Sequence, residues 1–182
     1  AHAVLAQINA DRGDLLDAES GFFFAISLEP NEPTPHHWYS ILLMKVGRLD
    51  AALAQASRAQ ELDPTSPIIA LNLANTYLLK GDDESALRFG KLAAELGLGQ
   101  KTGDVELSVA VRRGQWDVAR QLLAEQEELP PELRSMISGF VDALADPAKR
   151  PAFVAELKRI DPKVKPQLEL LGPYLELGQT DL

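Results

Sequence analysis

Apolar, small and turn-forming residues recur along this chain at a fixed step of 34 residues. Segments with the same pattern are centred on Gly13, Gly47 and Gly81, with a large apolar residue eight positions before each glycine. A fixed period of this size indicates a repeat architecture. Each repeat is predicted to be a pair of antiparallel helices, in which the glycine adopts φ > 0 and ends the first helix. A hairpin of this kind buries its apolar face by stacking on the next one.

Two series of small residues support this prediction, because small side chains let helix axes approach closely where they cross. A fourth copy keeps both series, with a turn one residue shorter at Gly114. The series in the first helix of each hairpin is Ala6, Ser40, Ala74 and Ser108. The series in the second helix of each hairpin is Ala18, Ala52, Ala86 and Ala119.

These two series, the glycines and the "ELDP" ending at Pro64 resemble the tetratricopeptide repeat (TPR) family. The resemblance implies an all-α fold, an α-solenoid of antiparallel helix hairpins coiled into a right-handed superhelix. The stretch "HHWYSILLMKVGRLDAALAQASRAQELDPTSP" is also similar to TPR arrays of bacterial winged-helix regulators and nucleotide cyclases.

The period divides the chain into four repeats and a less regular remainder. The predicted repeats are residues 1–32, 33–66, 67–99 and 100–131. Residues 132–182 are predicted to hold a degenerate fifth repeat and the first helix of a truncated sixth. Because both ends fall within predicted helical pairs, we expect a fragment of a larger protein.

Composition narrows the possible partners. The 182 residues carry a formal net charge of −9, which would repel a phosphate backbone, so nucleic acid is not expected as a partner. The chain has no cysteine and no apolar run long enough to predict membrane insertion. No targeting signal is visible, and the sequence leaves cytoplasmic and periplasmic locations open.

No catalytic constellation, metal site or cofactor is predicted. His36 and His37 are adjacent, so on a helix they point about 100° apart and cannot chelate one ion together. The "GLGQKTG" stretch has Gln100 where a phosphate-binding loop needs a glycine, and it follows a helix rather than a strand. An enzyme is therefore not expected.

The TPR resemblance implies that first helices line a concave groove that binds peptide segments. An asparagine at the position of Asn72 grips the peptide backbone in several peptide-binding members, while a surface asparagine without a role is the alternative. The predicted groove residues are His37, Ile41, Met44, Lys45, Leu71, Asn72, Asn75, Leu78, Val105, Val109, Arg112 and Arg113.

The expected function is that of a non-catalytic protein–protein interaction scaffold with a protein or peptide partner. The alternative is a sensory or self-associating regulatory module of a larger bacterial signalling or transcription-regulating protein, which would form homo-oligomers. Phe22 is expected in the core, whereas Phe23 or Phe24 should approach the surface, covered by an upstream repeat or serving as a protein contact.

Overall fold

A computed structural model describes residues 1–99, 103–126 and 129–157 of the chain. Within these ranges the protein is all-α, a solenoid of helical hairpins, as the sequence predicts. The helices are α1 His2–Arg12, α2 Leu15–Leu28, α3 Pro33–Lys45, α4 Leu49–Leu62, α5 Pro67–Lys80, α6 Asp83–Ala93, α7 Gly103–Arg112, α8 Trp116–Glu125, α9 Pro131–Ala145 and α10 Arg150–Leu157. The sixth-repeat helix and the residues after 157 in the fifth repeat lie outside the described ranges.

The glycine turns end first helices as predicted. Gly13, Gly47, Gly81 and Gly114 all have positive φ, between 66° and 87°. At each turn the glycine N–H binds the carbonyl three residues back, and the next N–H binds the carbonyl five residues back, at 2.9–3.0 Å. This pair of hydrogen bonds is a Schellman cap, which satisfies the last carbonyls of the helix. The same cap therefore sets the reversal of direction in four hairpins.

Helix starts are also specified locally. Pro33, Pro67 and Pro131 each occupy the first position of a helix, where a missing N–H costs no hydrogen bond. Ser66 accepts a hydrogen bond from Ile69 N, and Asp82 accepts one from Ser85 N. Both side chains thus cap helix N-termini.

The chain forms two compact units, residues 1–105 and 106–182. In the first unit α1 packs on α2, α3 on α4 and α5 on α6, while α2 contacts α3 and α4 contacts α5 across successive hairpins. Its apolar cluster is formed by Ala6, Ala18, Phe22, Tyr39, Leu42, Leu43 and Ala52. The division into numbered repeats stays a prediction.

The second unit has its own apolar cluster. Side chains of α7, α8, α9 and α10 meet around Phe140, whose ring centroid lies 5.9 Å from that of Phe153. Trp116 packs against this cluster from the start of α8. All eight residues of the two small-residue series are buried across the two units, which is what close helix crossings require.

Candidate functional site

One solvent-accessible face runs along the first helices of the first unit. Positions i, i+3, i+7 and i+11 lie on one side of an α-helix. On α5 these positions hold Ile68, Leu71, Asn75 and Leu79, and the 34-residue step gives the equivalent positions on α3. We call the accessible part of this surface the first-helix face; it comprises Thr34, Ile41, Lys45, Ile68, Leu71, Asn75 and Leu79, whereas His37 on the same side of α3 is buried.

The structure places the twelve predicted groove residues at different depths. Lys45 and Arg113 are exposed. The half-buried members are Ile41, Met44, Leu71, Asn75 and Arg112, and the buried members are His37, Asn72, Leu78, Val105 and Val109. Val109, Arg112 and Arg113 belong to the second unit, so the face is described here for the first unit alone. The groove assignment stays a prediction.

Asn72 has an internal hydrogen-bond partner. Its side-chain nitrogen donates to Ser40 Oγ at 2.6 Å, and Ser40 Oγ donates in turn to the carbonyl of His37 at 2.6 Å. Asn72 is only 6% exposed. The amide therefore links α5 to α3, in addition to any role at the surface.

A second polar contact joins the same two helices one turn further along. Thr76 Oγ1 donates to the carbonyl of Asn72 at 2.8 Å and lies 3.2 Å from Met44 Sδ. Thr76 is fully buried, so its hydrogen bond to the carbonyl lies in a low-dielectric environment where such bonds are strong. These bonds fix the register of α5 against α3 beneath the first-helix face.

Burial also controls the charge of His37. Desolvation lowers the pKa of His37 from its usual 6.5, because removing the ring from water disfavours the charged form. The neighbouring His36 uses both ring nitrogens: Nδ1 lies 2.7 Å from Gln55 Oε1, and Nε2 lies 3.1 Å from the carbonyl of Pro30. Both histidines are thus parts of the packed interior.

A three-residue cluster connects the first two hairpins on another side. Glu19 of α2 accepts hydrogen bonds from Tyr39 Oη at 2.6 Å and from the Arg48 guanidinium. These bonds, Tyr39 first, hold the pKa of Glu19 below its usual 4.5. Burial and the bond to Glu19 raise the pKa of Tyr39 to about 12. Glu19 is therefore charged and Tyr39 neutral near pH 7.

The second unit contains a cleft of about 360 Å³ between α8 and α9. Its lining includes Arg120, Leu123, Pro131, Arg134 and Ser138. Arg120 is already bound to Asp142 at 2.9 Å, and an Arg134 nitrogen donates to the carbonyl of Leu129 at 3.2 Å. Arg120 is therefore paired with a carboxylate, whereas Arg134 is held by a neutral backbone carbonyl.

The described ranges offer no metal cluster and no membrane span. Across residues 1–99, 103–126 and 129–157, no group of three or more His, Asp or Glu is placed to hold a metal ion. In the same ranges no helix has both the length and the apolar character needed to cross a bilayer.

Three residues of the first-helix face are absent from the predicted groove: Thr34 on α3, and Ile68 and Leu79 on α5. Ile68 and Leu79 are exposed and share a helix side with Leu71 and Asn75. The signal was present, since stepping along α5 by three, four and four residues from position 68 reaches all of them.

The stacked hairpins have a TPR-like helical repeat fold. Among solved structures, the chain is similar to the crystal structure of MamA, a TPR-like helical repeat protein, with a TM-score of 0.65 over 100% of this chain and 94% of that chain. Sequence identity is 15%, so this likeness establishes the fold alone. No family model and no curated protein sequence matches the chain.

Proposed function

We propose that the chain is a non-catalytic protein–protein interaction scaffold, which binds peptide segments on the first-helix face of its first unit. The observation that carries this proposal is the accessible row of apolar side chains on α5. Ile68, Leu71 and Leu79 lie along one side of the helix, with the Asn75 amide among them.

The chemistry of this face suits a peptide with apolar anchors. Leu71 and Ile68 offer apolar contacts, and the Asn75 amide can donate to and accept from a peptide bond at once. Lys45 on the equivalent part of α3 adds a positive charge, which favours some acidic character in the ligand. An extended or helical segment with apolar anchors is therefore the expected partner.

The buried contacts behind the first-helix face support the same proposal. A buried hydrogen bond from Asn72 to Ser40 and the contact of the Thr76 hydroxyl with Met44 Sδ join α5 to α3 behind the accessible residues. A face held in fixed geometry loses less conformational entropy on binding than a mobile one. The similarity of fold to a TPR-like repeat protein agrees with a scaffold role and a protein partner. The regulatory-module alternative stays a prediction.

A displayed library of random peptides, selected on the immobilised chain, tests the proposal. A selected peptide is then titrated calorimetrically into the wild type, Leu71→Ala and Asn75→Ala. Loss of one apolar anchor should weaken binding about tenfold, which corresponds to about 1.4 kcal/mol. Leu16→Ala is the matched control, because Leu16 is an exposed leucine on a second helix.

The outcome for the control decides the assignment. Binding that is unchanged in Leu16→Ala but weakened in Leu71→Ala supports the first-helix face. Peptide binding that is unchanged in both Leu71→Ala and Asn75→Ala would show that the scaffold uses another surface.

A further inference from the structure

The cleft between α8 and α9 in the second unit exists where two small residues leave space between these helices. Counted from the proline that starts each helix, Ser135 of α9 corresponds to His37 of α3. Counted from the turn glycine, Ala124 of α8 corresponds to Phe23 of α2. In the first unit the larger pair is packed: His37 is buried, and the Phe23 ring centroid lies 5.2 Å from that of Tyr39. The smaller pair leaves a cleft of about 360 Å³.

One side of this cleft carries a positive charge, on Arg134. One terminal nitrogen of its guanidinium donates to the carbonyl of Leu129 at 3.2 Å, which fixes the orientation of the group. Within the described ranges Arg134 has no carboxylate partner, and its Nε is buried without a hydrogen bond. The other arginine of the cleft differs, because Arg120 is paired with both Asp117 and Asp142. Arg134 is therefore the group with which the cleft can bind an anion.

Two hydroxyl groups lie on the same side of α9 as this guanidinium. The α9 residues that line the cleft are spaced at i, i+3, i+4 and i+7, so they share one side of the helix: Pro131, Arg134, Ser135 and Ser138. In the part of the chain that the structure describes, neither serine hydroxyl is bonded to another protein group, whereas Ser27 donates to a carbonyl of its own helix at 2.7 Å. Pro131 is the first residue of α9, so the positive end of the helix dipole lies at the same place. This side of the cleft thus combines hydrogen-bond donors with positive potential.

An apolar surface completes the cleft. Leu123 and Ala124 of α8 line it, and the ring of Pro131 extends the same surface. The volume is at the lower end of the range that small-molecule sites occupy, and a few polar groups on a mainly apolar wall are typical of such sites. A ligand that matches both sides has one anionic group and a short apolar body.

We propose that this cleft binds a small organic acid, in which one carboxylate is attached to a short apolar group. The carboxylate binds the Arg134 guanidinium, whose planar fork matches it, and accepts hydrogen bonds from the Ser135 and Ser138 hydroxyls. The apolar group packs on Leu123 and Ala124. A singly charged acid is favoured over phosphate, because the net charge of −9 opposes a more highly charged anion and phosphate has no apolar part.

An NMR titration of amide signals in the full 182-residue chain tests the proposal. The probes are isocaproate and phenylacetate, and the comparison ligands are isocaproamide and inorganic phosphate at the same pH and ionic strength. Both acids should shift amide signals of α8 and α9 in a saturable way, with a dissociation constant of about 1 mM. Isocaproamide and phosphate should each bind at least tenfold more weakly, because one lacks the charge and the other lacks the apolar group.

Substitutions separate binding in the cleft from general attraction of an acid to arginine. Arg134→Gln should raise the dissociation constant of isocaproate at least tenfold. Arg150→Gln is the matched control, because Arg150 also belongs to the second unit and donates to a backbone carbonyl, that of Ala143, at 3.2 Å, but does not line the cleft. Ser135→Leu should abolish binding with Arg134 intact, because the leucine fills the cleft from an exposed position. Circular dichroism melts check folding, and Ser135→Leu decides the test if Arg134→Gln melts early.

The contrary outcomes are equally specific. The proposal is overturned by the absence of saturable shifts with both acids, or by shifts confined to the first unit. Equal affinities for isocaproate and isocaproamide, or tighter binding of phosphate, would overturn it as well. Equal weakening in Arg134→Gln and Arg150→Gln would assign the binding to general charge. None of these results depends on peptide binding at the first-helix face.

Discussion

At the scale of single residues, buried polar side chains hold neighbouring first helices in one register. Asn72 donates to Ser40, and Thr76 donates to the backbone of Asn72 while its hydroxyl also lies against Met44. Small polar residues at a helix crossing thus combine close approach with a directional bond, whereas alanine at the same position gives close approach alone.

A double-mutant cycle should detect the Asn72–Ser40 bond. Asn72→Ala and Ser40→Ala should each lower the free energy of unfolding by about 1–2 kcal/mol, because each removes a buried hydrogen bond. The double variant should lose less than the sum, with a coupling energy of about 1 kcal/mol. Urea denaturation of the four proteins measures this, and strictly additive losses would contradict the bond.

Stability should also fall at mildly acidic pH because of His37. Burial lowers the pKa of His37 from 6.5, so below that pH the unfolded chain binds a proton more readily than the folded chain. The stability that the neutral ring contributes is complete above pH 6.5 and is lost as the pH falls toward the folded-state pKa.

A comparison of the wild type with His37→Gln isolates this effect. Urea midpoints are measured at about pH 7.5 and about pH 5.5, on either side of the unfolded-state pKa. The wild type should lose more stability between the two conditions than the variant. His2 and His36 are present in both proteins, so an identical loss would assign the pH dependence to other groups.

The depth of the candidate site was harder to predict than its position along the chain. A first-helix location follows from the 34-residue step, but the sequence does not show that Ser40 lies within hydrogen-bond reach of Asn72. That contact joins residues 32 positions apart and depends on how closely two helices pack. The burial of the His37 and Leu78 side chains could not be predicted either, because it depends on how closely the neighbouring hairpin packs.

At the scale of elements, each hairpin depends on how closely its two helices cross. In the first hairpin the crossing falls at Gly21 of α2 and Ala6 of α1, where an added Cβ on residue 21 would lie 2.9 Å from Ala6 Cβ. Helix ends were predictable because proline and glycine act locally, through a fixed φ and an accessible positive φ. The crossing at Gly21 was not predicted, since it depends on the distance between helices.

Gly21→Ala should destabilise the protein although alanine is the better helix former. Helix propensity favours the change by about 1 kcal/mol, but overpacking at the crossing should cost about 1–3 kcal/mol. The variant should therefore melt at a lower temperature than the wild type. Adding Ala6→Gly should recover part of the loss by reopening the crossing. Ser20→Ala, at an exposed position on the same helix, is the propensity control.

At the scale of the whole molecule, two apolar clusters stabilise two compact units. Leu43 lies within the cluster of the first unit, whereas Phe140 and Phe153 belong to that of the second. In repeat proteins each element is stabilised mainly by its nearest neighbours, so local damage should have local consequences.

Leu43→Ala should therefore reduce hydrogen-exchange protection unevenly. Removing this buried side chain should cost about 2–5 kcal/mol, mainly through the cavity it leaves. Amide protons of α1 to α4 should exchange faster, while those of α9 should keep most of their protection. Exchange mass spectrometry at peptide resolution reads this out, and an equal loss in both units would indicate a single cooperative structure.

Because α3 starts at Pro33 in the same way as α5 starts at Pro67, one whole hairpin could be removed from the chain between these two positions. Excising residues 33–66 would join two backbone segments that enter a helix in the same way, and α2 would then meet Leu73 in the place of Tyr39. The apolar contacts between hairpins would be kept. Glu19, however, would lose both of its hydrogen-bond partners, and Asn72 would face Ala6 instead of Ser40. Shortening by one hairpin would thus preserve the architecture while discarding the directional bonds that distinguish one junction from the next.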